Sequence, residues 1–422
     1  NIYLKDVNMF VLRQLHNKIN TTVVSMSIIC LMLFMTITIL SSALSLNNTM
    51  RKDLEDTTPV DLNLYKTANL PENEKMSKAQ IEDSRKTMIQ TLEDNGFDMT
   101  KLKDVVEIPI YATNELTWRD TLSPVYDEVK QQFPNLLYET AEEIVKVSDY
   151  NKVARLYGNI EYQLKDDEYI ILCDFDNMKN LRNKALKADS TITIAGKEYK
   201  SKYDECQNGY IYMAGSHINN GIVLVPDSCN LTEDMKEETF LAANYNATTE
   251  EEKEEIEKIC TGETETEFSK NLNEKDITID GMTKIAIIES SLGVSTIVLF
   301  IAIYLGIIFL IASSAILALK QLTESSDNKQ RYAILRKIGA DEKMIKGALF
   351  KQIGIFFLMP LILAIIHSIF GIQFVMTMMS VLADAKELLP SAIATAVIIG
   401  VIYGAYFMAT YLGSKNIIKE AE

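Results

Sequence analysis

Four long apolar stretches divide the chain and set its architecture. Crossing a hydrocarbon core about 30 Å thick takes about 20 residues of helix. Each stretch is at least that long and carries almost no charge, so the pattern predicts four transmembrane helices. The predicted helices comprise residues 21–46, 285–319, 349–375 and 391–413.

The interval between the first two apolar stretches, residues 47–284, is polar and contains segments typical of both strands and helices. Segments that are β-branched or alternating, and bounded by turn residues, predict strands at 60–65, 105–112, 168–175, 190–196 and 221–226. Helical patterns occur at 78–93, 136–147, 149–156 and 249–259, the last with a Thr249 and Glu252 capping box. The predicted fold is a membrane α-helical protein with four transmembrane helices and a large extracellular α+β domain inserted between helices 1 and 2. The strand order does not follow from the pattern.

The distribution of basic residues predicts the orientation in the membrane. Lysine and arginine near the ends of transmembrane helices are retained on the cytoplasmic side. Residues 320–348 contain seven of them, and further bases precede the first span and follow the last. This loop, the tail at 414–422 and both termini of the chain are therefore predicted to be cytoplasmic. The inserted domain and the turn at 376–390 are predicted to be extracellular.

Residues 1–20 have apolar side chains on one stripe and bases on the rest of a helical projection. This pattern is typical of an amphipathic juxtamembrane helix lying on the inner membrane surface. A simple inward continuation of the first span fits equally well. The chain begins with Asn, which suggests a processed protein or a fragment.

Charge and cysteines follow the same division. Residues 47–284 contain 48 Asp and Glu against 28 Lys and Arg, a net charge of −20, whereas the whole chain carries −16. Such a domain attracts cationic ligands, although solubility alone also explains the excess. Four of the five cysteines lie in it, where three pairings are possible and free buried thiols are equally compatible. They are Cys173, Cys206, Cys229 and Cys260.

The spans offer little for a polar transport path. Ionisable groups are expensive in hydrocarbon and usually mark a function, yet only His367 lies deep in a span, without an acidic companion. We interpret it as a helix-packing or interfacial residue rather than a proton relay. Small residues at intervals of four let helices approach closely, and they predict helix packing at Ala302 with Gly306 and at Ala396, Gly400 and Gly404.

The loop at 320–348 is much longer than a turn requires. Asp327 is predicted to cap a helix in which Arg331, Ile334, Leu335 and Ile338 form one stripe, and Gly339 is predicted to end it. Asp341 is predicted to cap the next helix. Two interpretations remain: the stripe enters the lipid interface, where the bases bind anionic headgroups, or it docks on a cytoplasmic partner.

Motifs for catalysis and nucleotide binding are missing from the sequence. It contains no GxxxxGK[ST], HExxH or GxSxG pattern and no cysteine or histidine spacing typical of a metal site. We therefore expect a membrane subunit that is not an enzyme, binds no cofactor or metal and has no nucleic-acid partner. Any ATP hydrolysis must come from another chain.

The loop sequence RYAILRKIGADEKMI, between two spans, resembles the signature of the FtsX-like permeases, which are membrane subunits of ABC transporters. Together with LRQLHNKINT, SDYNKVARLYG and SDNKQRYAILRKIGA it resembles the bacitracin-resistance permeases of the BceB type in Gram-positive bacteria. Such permeases usually have ten spans, so the resemblance implies that this chain is a C-terminal portion.

The resemblance implies a mechanism and several partners. A coupling helix would rest on a separate ABC ATPase, expected to be a dimer, which holds ATP and Mg²⁺. The extracellular domain would handle an antimicrobial peptide or its lipid-linked target, in resistance or sensing, and a sensor histidine kinase could be a further partner. The implied coupling residues are Arg331, Tyr332, Ile334, Leu335, Arg336, Lys337, Ile338 and Gly339.

Two alternatives to this function stay open. One is a receptor or regulator that senses a ligand, or activates a cell-wall hydrolase, without moving anything; the lack of a polar path favours it. The other is a homodimeric half-transporter of the MacB or lipoprotein-export type. The identity of the ligand does not follow from the sequence.

Overall fold

The computed structural model describes residues 8–71, 76–379 and 388–419. The chain divides into two compact units. One unit combines the residues up to 49 with those from 293 onward, and the other comprises residues 50–292. The second unit is the inserted domain.

In chain order the helices are α1 (Asn8–Thr57), α2 (Lys78–Ser84), α3 (Met88–Asp94), α4 (Trp118–Leu122), α5 (Tyr126–Gln132), α6 (Val147–Tyr157), α7 (Asp176–Ala188), α8 (Glu250–Cys260), α9 (Glu267–Lys275), α10 (Lys284–Asp327), α11 (Lys329–Lys337), α12 (Glu342–Met379) and α13 (Leu388–Lys419). The strands are β1 (Leu62–Thr67), β2 (Leu102–Tyr111), β3 (Ile144–Lys146), β4 (Glu168–Leu172), β5 (Thr191–Ile194), β6 (Lys197–Ser201), β7 (Ile222–Val225), β8 (Lys236–Tyr245) and β9 (Asp280–Thr283).

Helices α1, α10, α12 and α13 are long and apolar enough to cross a membrane. With the sheet-containing domain between α1 and α10, they confirm the predicted fold class. Residues 8–20 are continuous with the first span in α1, and residues 1–7 of the predicted juxtamembrane helix lie outside the described residues. Most of the predicted turn at 376–390 also lies outside them.

The strands described in the inserted domain form one mixed sheet with the order β5-β6-β4-β7-β3-β2-β8-β1-β9. Most neighbours are antiparallel, and β3 with β7 and β4 with β6 are parallel. Its longest strands, the ten-residue β2 and β8, pair with each other. The long strand β8 was not predicted, because it begins with the charged residues KEET and its apolar residues come only after them.

Two helical predictions in the domain were wrong. Residues 136–147 form a loop followed by strand β3 rather than a helix. Residues 78–93 form two helices, because Thr87 begins a second capping box with Gln90 and so starts α3. The predicted capping box of Thr249 with Glu252 is present at the start of α8.

The middle of the sheet is buried on both faces, as β4 and β7 show. Along β4, Ile170 and Leu172 join a core with helix α6, whereas Tyr169 and Ile171 join the opposite core with α7. Leu54 of α1 and Ile287 of α10 belong to the first of these cores. The end of α1 and the start of α10 are therefore part of the hydrophobic core of the inserted domain.

Candidate functional site

The loop between the second and third long helices contains very little irregular chain. Helix α10 runs to Asp327, and Asn328 alone separates it from α11. Asp327 is therefore the last residue of α10, and the prediction that it caps α11 was wrong. Asn328 occupies the N-cap position without a capping side-chain hydrogen bond. Its backbone carbonyl accepts from Tyr332 N at 3.1 Å, so the two helices follow each other almost without a break.

The side chains predicted to share one stripe of α11 lie on two faces. Tyr332 is 1% exposed and belongs to the core of the long-helix unit, and Leu335 packs against that core. Ile334 and Ile338 are 58% and 75% exposed. The physical reason is that α11 packs on α12 and α13, which cover the face of Tyr332 and Leu335. The opposite, exposed face carries Arg331, Ile334, Lys337 and Ile338.

Tyr332 enters a buried polar network that sequence reasoning missed. Its hydroxyl donates to Gln352 Oε1 at 2.9 Å, and Gln352 Nε2 lies 3.4 Å from Glu324 Oε1. Gln321 Nε2 approaches Glu324 Oε2 at 3.5 Å. Burial raises the pKa of the Tyr332 hydroxyl, so it stays protonated and can donate. The network joins α10, α11 and α12, and only the polar letters Q and E near the span ends could have indicated it.

Arg336 fastens the other end of α11. Its Nε donates to Glu342 Oε1 at 2.6 Å and its Nη1 donates to the carbonyl of Ile418 at 3.0 Å. The hydrogen bond from Arg336 holds the pKa of Glu342 below its usual range. Helix α11 ends one residue earlier than predicted, with Ile338 at the C-cap position, and Gly339 follows with a φ of +91°. Only glycine adopts that conformation without strain.

The predicted packing residues have different surroundings. Ala302 and Gly306 are buried on α10, and Thr36 of α1 donates from Oγ1 to the carbonyl of Gly306 at 3.3 Å. On α13, Ala396 and Gly400 are exposed. A Cβ added at Gly400 or Gly404 would meet no described atom within 4 Å. The packing role of this second face stays a prediction.

Two glycines that were not predicted make closer contacts. A Cβ at Gly371 of α12 would lie 2.7 Å from Phe34 Cε2 on α1. One at Gly413 of α13 would lie 2.8 Å from Leu322 Cδ2 on α10. Gly371 has no second small residue four positions away on its helix, so the motif used in the prediction could not find it. Gly413 follows Ala409 at an interval of four on α13, a pair that fits the motif but was not selected.

His367 lines an apolar groove of about 910 Å³ between α1 and α12. Its neighbours along the groove include Phe34 and Pro360, and among the described residues the only other polar lining side chains are Ser27 and Cys30. Among the described residues no group of three or more His, Cys, Asp or Glu side chains could hold a metal ion. Helix α11, by contrast, is held near both ends by the hydrogen bonds of Tyr332 and Arg336 and presents an exposed apolar pair, Ile334 and Ile338.

Comparison with known proteins shows that the C-terminal region is similar to a family of membrane permeases. Residues 306–421 match the family described as FtsX-like permease C-terminal. The bacitracin export permease protein BceB of Bacillus subtilis is 38% identical over 108 residues, which cover 25% of this chain and 16% of the relative. The BceB protein of Halalkalibacterium halodurans is 33% identical over 124 residues, 29% of this chain and 18% of the relative.

A longer and weaker match extends into the inserted domain. The uncharacterized ABC transporter permease YvcS of Bacillus subtilis is 22% identical over 302 residues, 71% of this chain and 44% of the relative. The chain therefore spans less than half the length of the curated relatives that it matches. The family match covers α11 and every residue predicted to receive a partner.

Proposed function

We propose that this chain is an FtsX-like ABC transporter permease of the BceB type, and that it couples ATP hydrolysis by a separate partner to a conformational change of its inserted domain. The match of residues 306–421 to the FtsX-like permease C-terminal family and the similarity to two BceB proteins support the proposal. Helix α11 is the coupling helix that rests on the ATPase. The ATPase is a dimer that holds ATP and Mg²⁺, and this chain binds neither.

The observation that carries the proposal is the two-sided character of α11. Ile334 and Ile338 are exposed, while Tyr332 and Arg336 fasten the helix to its own unit. An apolar helix face seated in a partner's groove is a common mode of recognition. Since α11 is held by hydrogen bonds to neighbouring elements, a displacement imposed on it passes to α10 and α12 rather than being lost in a flexible loop.

Helices α1 and α10 then carry the motion to the inserted domain. Each begins or ends in the core of that domain, through Leu54 and Ile287. We place the domain outside the cell and both termini in the cytoplasm, in the plasma membrane of a bacterium, on the positive-inside rule.

The substrate follows from the relatives by analogy. Two of them are named bacitracin export permeases, so the inserted domain of this chain handles an antimicrobial peptide or its lipid-linked target. The outcome is resistance, sensing or both, and a sensor histidine kinase is a further partner in the sensing role.

The coupling role is tested by placing charge on the exposed pair. The double variant Ile334→Asp, Ile338→Asp should insert and fold, because both side chains are exposed. It should no longer co-purify with the ATPase, and the ATP hydrolysis that the transporter stimulates should fall at least about ten-fold. The matched control is Ile334→Leu, Ile338→Leu, which keeps the apolar face and should retain both properties. Normal ATPase capture by the aspartate variant would refute the proposal.

A second candidate is a receptor or regulator that changes shape without moving its ligand. The apolar lining of the groove between α1 and α12 favours it, because a polar solute finds few partners there. Reconstituted vesicles that contain the ATPase decide between the two. ATP-dependent movement or extraction of the ligand supports transport, and an ATP-dependent shape change without movement supports the receptor.

A further inference from the structure

The inserted domain contains a cavity of about 300 Å³ with an unusual lining. Loops at the ends of strands β3, β4 and β7 form its walls, together with the end of α1. Of the residues that the structure describes, three aromatic side chains and two carboxylates line it, and no lysine or arginine does. These five side chains are Trp118, Tyr210, Tyr212, Glu143 and Asp174.

The two carboxylates differ in their partners. Asp174 accepts from Asn219 N at 2.8 Å through Oδ1, and its Oδ2 lies 2.9 Å from His217 Nδ1. The carboxylate of Glu143 makes no hydrogen bond or ion pair with any residue that the structure describes. Burial, reinforced by the charge of Glu238, raises the pKa of Glu143 to about 7. A cation beside Glu143 would supply the missing opposite charge.

The neighbouring residue, Glu142, is already compensated. Arg182 Nη1 donates to Glu142 Oε1 at 2.8 Å, with both side chains almost fully buried. The guanidinium carbon of Arg182 also lies 4.9 Å from the centroid of the Trp118 ring. Arg182 therefore neutralises Glu142 and covers one face of Trp118. Glu143, which has no opposite charge beside it among the described residues, lines the same cavity as that ring.

We propose that this cavity binds an ammonium or guanidinium group carried on an apolar stem. Aromatic faces attract such cations, and a carboxylate forms short charge-assisted hydrogen bonds with them. The cavity is at the small end of the range for ligand sites, about 300–1,000 Å³, so it accommodates one side chain or a small amine. A metal ion fits less well, because no suitable group of three ligands exists among the described residues.

The cavity is connected to the end of helix α1. Thr57 lines it and donates from Oγ1 to the carbonyl of Ala214 at 2.6 Å. The hydroxyl of Tyr210 donates to the carbonyl of Asp56. A ligand that displaces the segment around Tyr210 therefore acts on the last turn of α1. The inference goes beyond the proposed function, since binding in this cavity requires no ATPase.

The test uses the tryptophan of the cavity as its reporter. The chain contains one tryptophan, so the emission of the full chain in detergent micelles reports on Trp118 alone. Two cationic probes, benzylamine and acetyl-Ala-Arg-Ala-amide, are titrated beside their neutral counterparts, benzyl alcohol and the citrulline peptide. We expect a saturable change with at least one cationic probe and binding at least about ten-fold weaker for its neutral counterpart. The more tightly bound cation distinguishes a free amine from a peptide side chain.

Two variants assign the binding to the cavity. Glu143→Gln should weaken binding about ten-fold or more while keeping the shape of the side chain. The control Glu198→Gln changes the same charge at an exposed position outside the cavity and should bind as the parent does. A second variant, Trp118→Phe, is measured by calorimetry and should weaken binding a few-fold. Equal binding of the neutral probes, equal binding by Glu143→Gln, or no saturable binding of either cation would overturn the proposal.

Discussion

Glu143 and Glu238 are two glutamates of the inserted domain whose pKa values are both raised to about 7, mainly by burial. Glu143 also faces the charges of Glu238, Glu142 and Glu237. Glu238 faces Glu237 and Asp280, and it accepts a hydrogen bond from Tyr212 at 2.6 Å, which opposes the rise. Both groups therefore hold protons in the folded domain at pH values where the unfolded chain has released them.

The sign of the resulting pH dependence follows from this difference. Glutamate has an ordinary pKa of 4.5, so between that value and about 7 the folded state binds more protons than the unfolded state. The free energy of unfolding should decrease as the pH rises through this interval and then level off. Thermal unfolding followed by Trp118 emission at several pH values measures the slope. The double variant Glu143→Gln, Glu238→Gln should have a shallower slope, and an unchanged slope would contradict the assignment.

At the residue scale the sequence indicates which residues belong to a site better than it indicates which way their side chains face. The residues proposed for coupling could be selected from the loop, but which of them face inward could not, because α12 and α13 determine that face. The predicted stripe therefore combined Ile334, which is exposed, with Leu335, which packs inward. Glu143 could not be singled out from the many acids of the domain, because the sequence does not show that Arg182 pairs with the adjacent Glu142 and that Glu143 has no such partner among the described residues.

At the scale of elements, patterns with strong local causes were predictable. The long apolar helices and the capping box at Thr249 follow from hydropathy and local hydrogen bonding. Residues 136–147 were misassigned because their apolar positions also fit a helix, whereas pairing with β2 and β7 makes Ile144–Lys146 a strand. Such pairing depends on residues far along the chain.

Helix packing gives a prediction at the same scale, because two glycines of the long helices have opposite surroundings. Gly371→Ala would place a Cβ 2.7 Å from Phe34 and 2.9 Å from Thr38 Oγ1. We expect a loss of about 1–3 kcal/mol from overpacking between α12 and α1. Gly400→Ala, where the added Cβ meets no described atom within 4 Å, should be neutral or stabilise by up to about 1 kcal/mol through helix propensity. Thermal stability of the two purified variants in detergent measures the difference, and equal stability would contradict the packing of α12 on α1.

At the scale of the whole molecule, the sequence predicted that a domain is inserted between two spans, but not how it is joined to them. The hydropathy pattern ends the first span at residue 46, whereas α1 continues to Thr57. Its last turns carry Leu54 into the core of the domain, and α10 contributes Ile287 to the same core. Continuous helices transmit displacement better than flexible linkers, so this construction fits a protein in which one unit acts on the other.

Motion can pass across the membrane in this way only if the inserted domain and helix α11 lie on opposite sides of it. The basic residues of the loop at 320–348 predict this arrangement. Exposed positions on each side allow a direct measurement, since Cys173, Cys206 and Cys229 are buried. We expect a membrane-impermeant maleimide to label Glu198→Cys on intact cells but to reach Lys337→Cys only after lysis. The parent chain, carrying its own cysteines, sets the background in both conditions. Labelling of Lys337→Cys on intact cells, or protection of Glu198→Cys, would contradict the predicted orientation. It would also contradict the proposal that α11 binds a cytoplasmic ATPase.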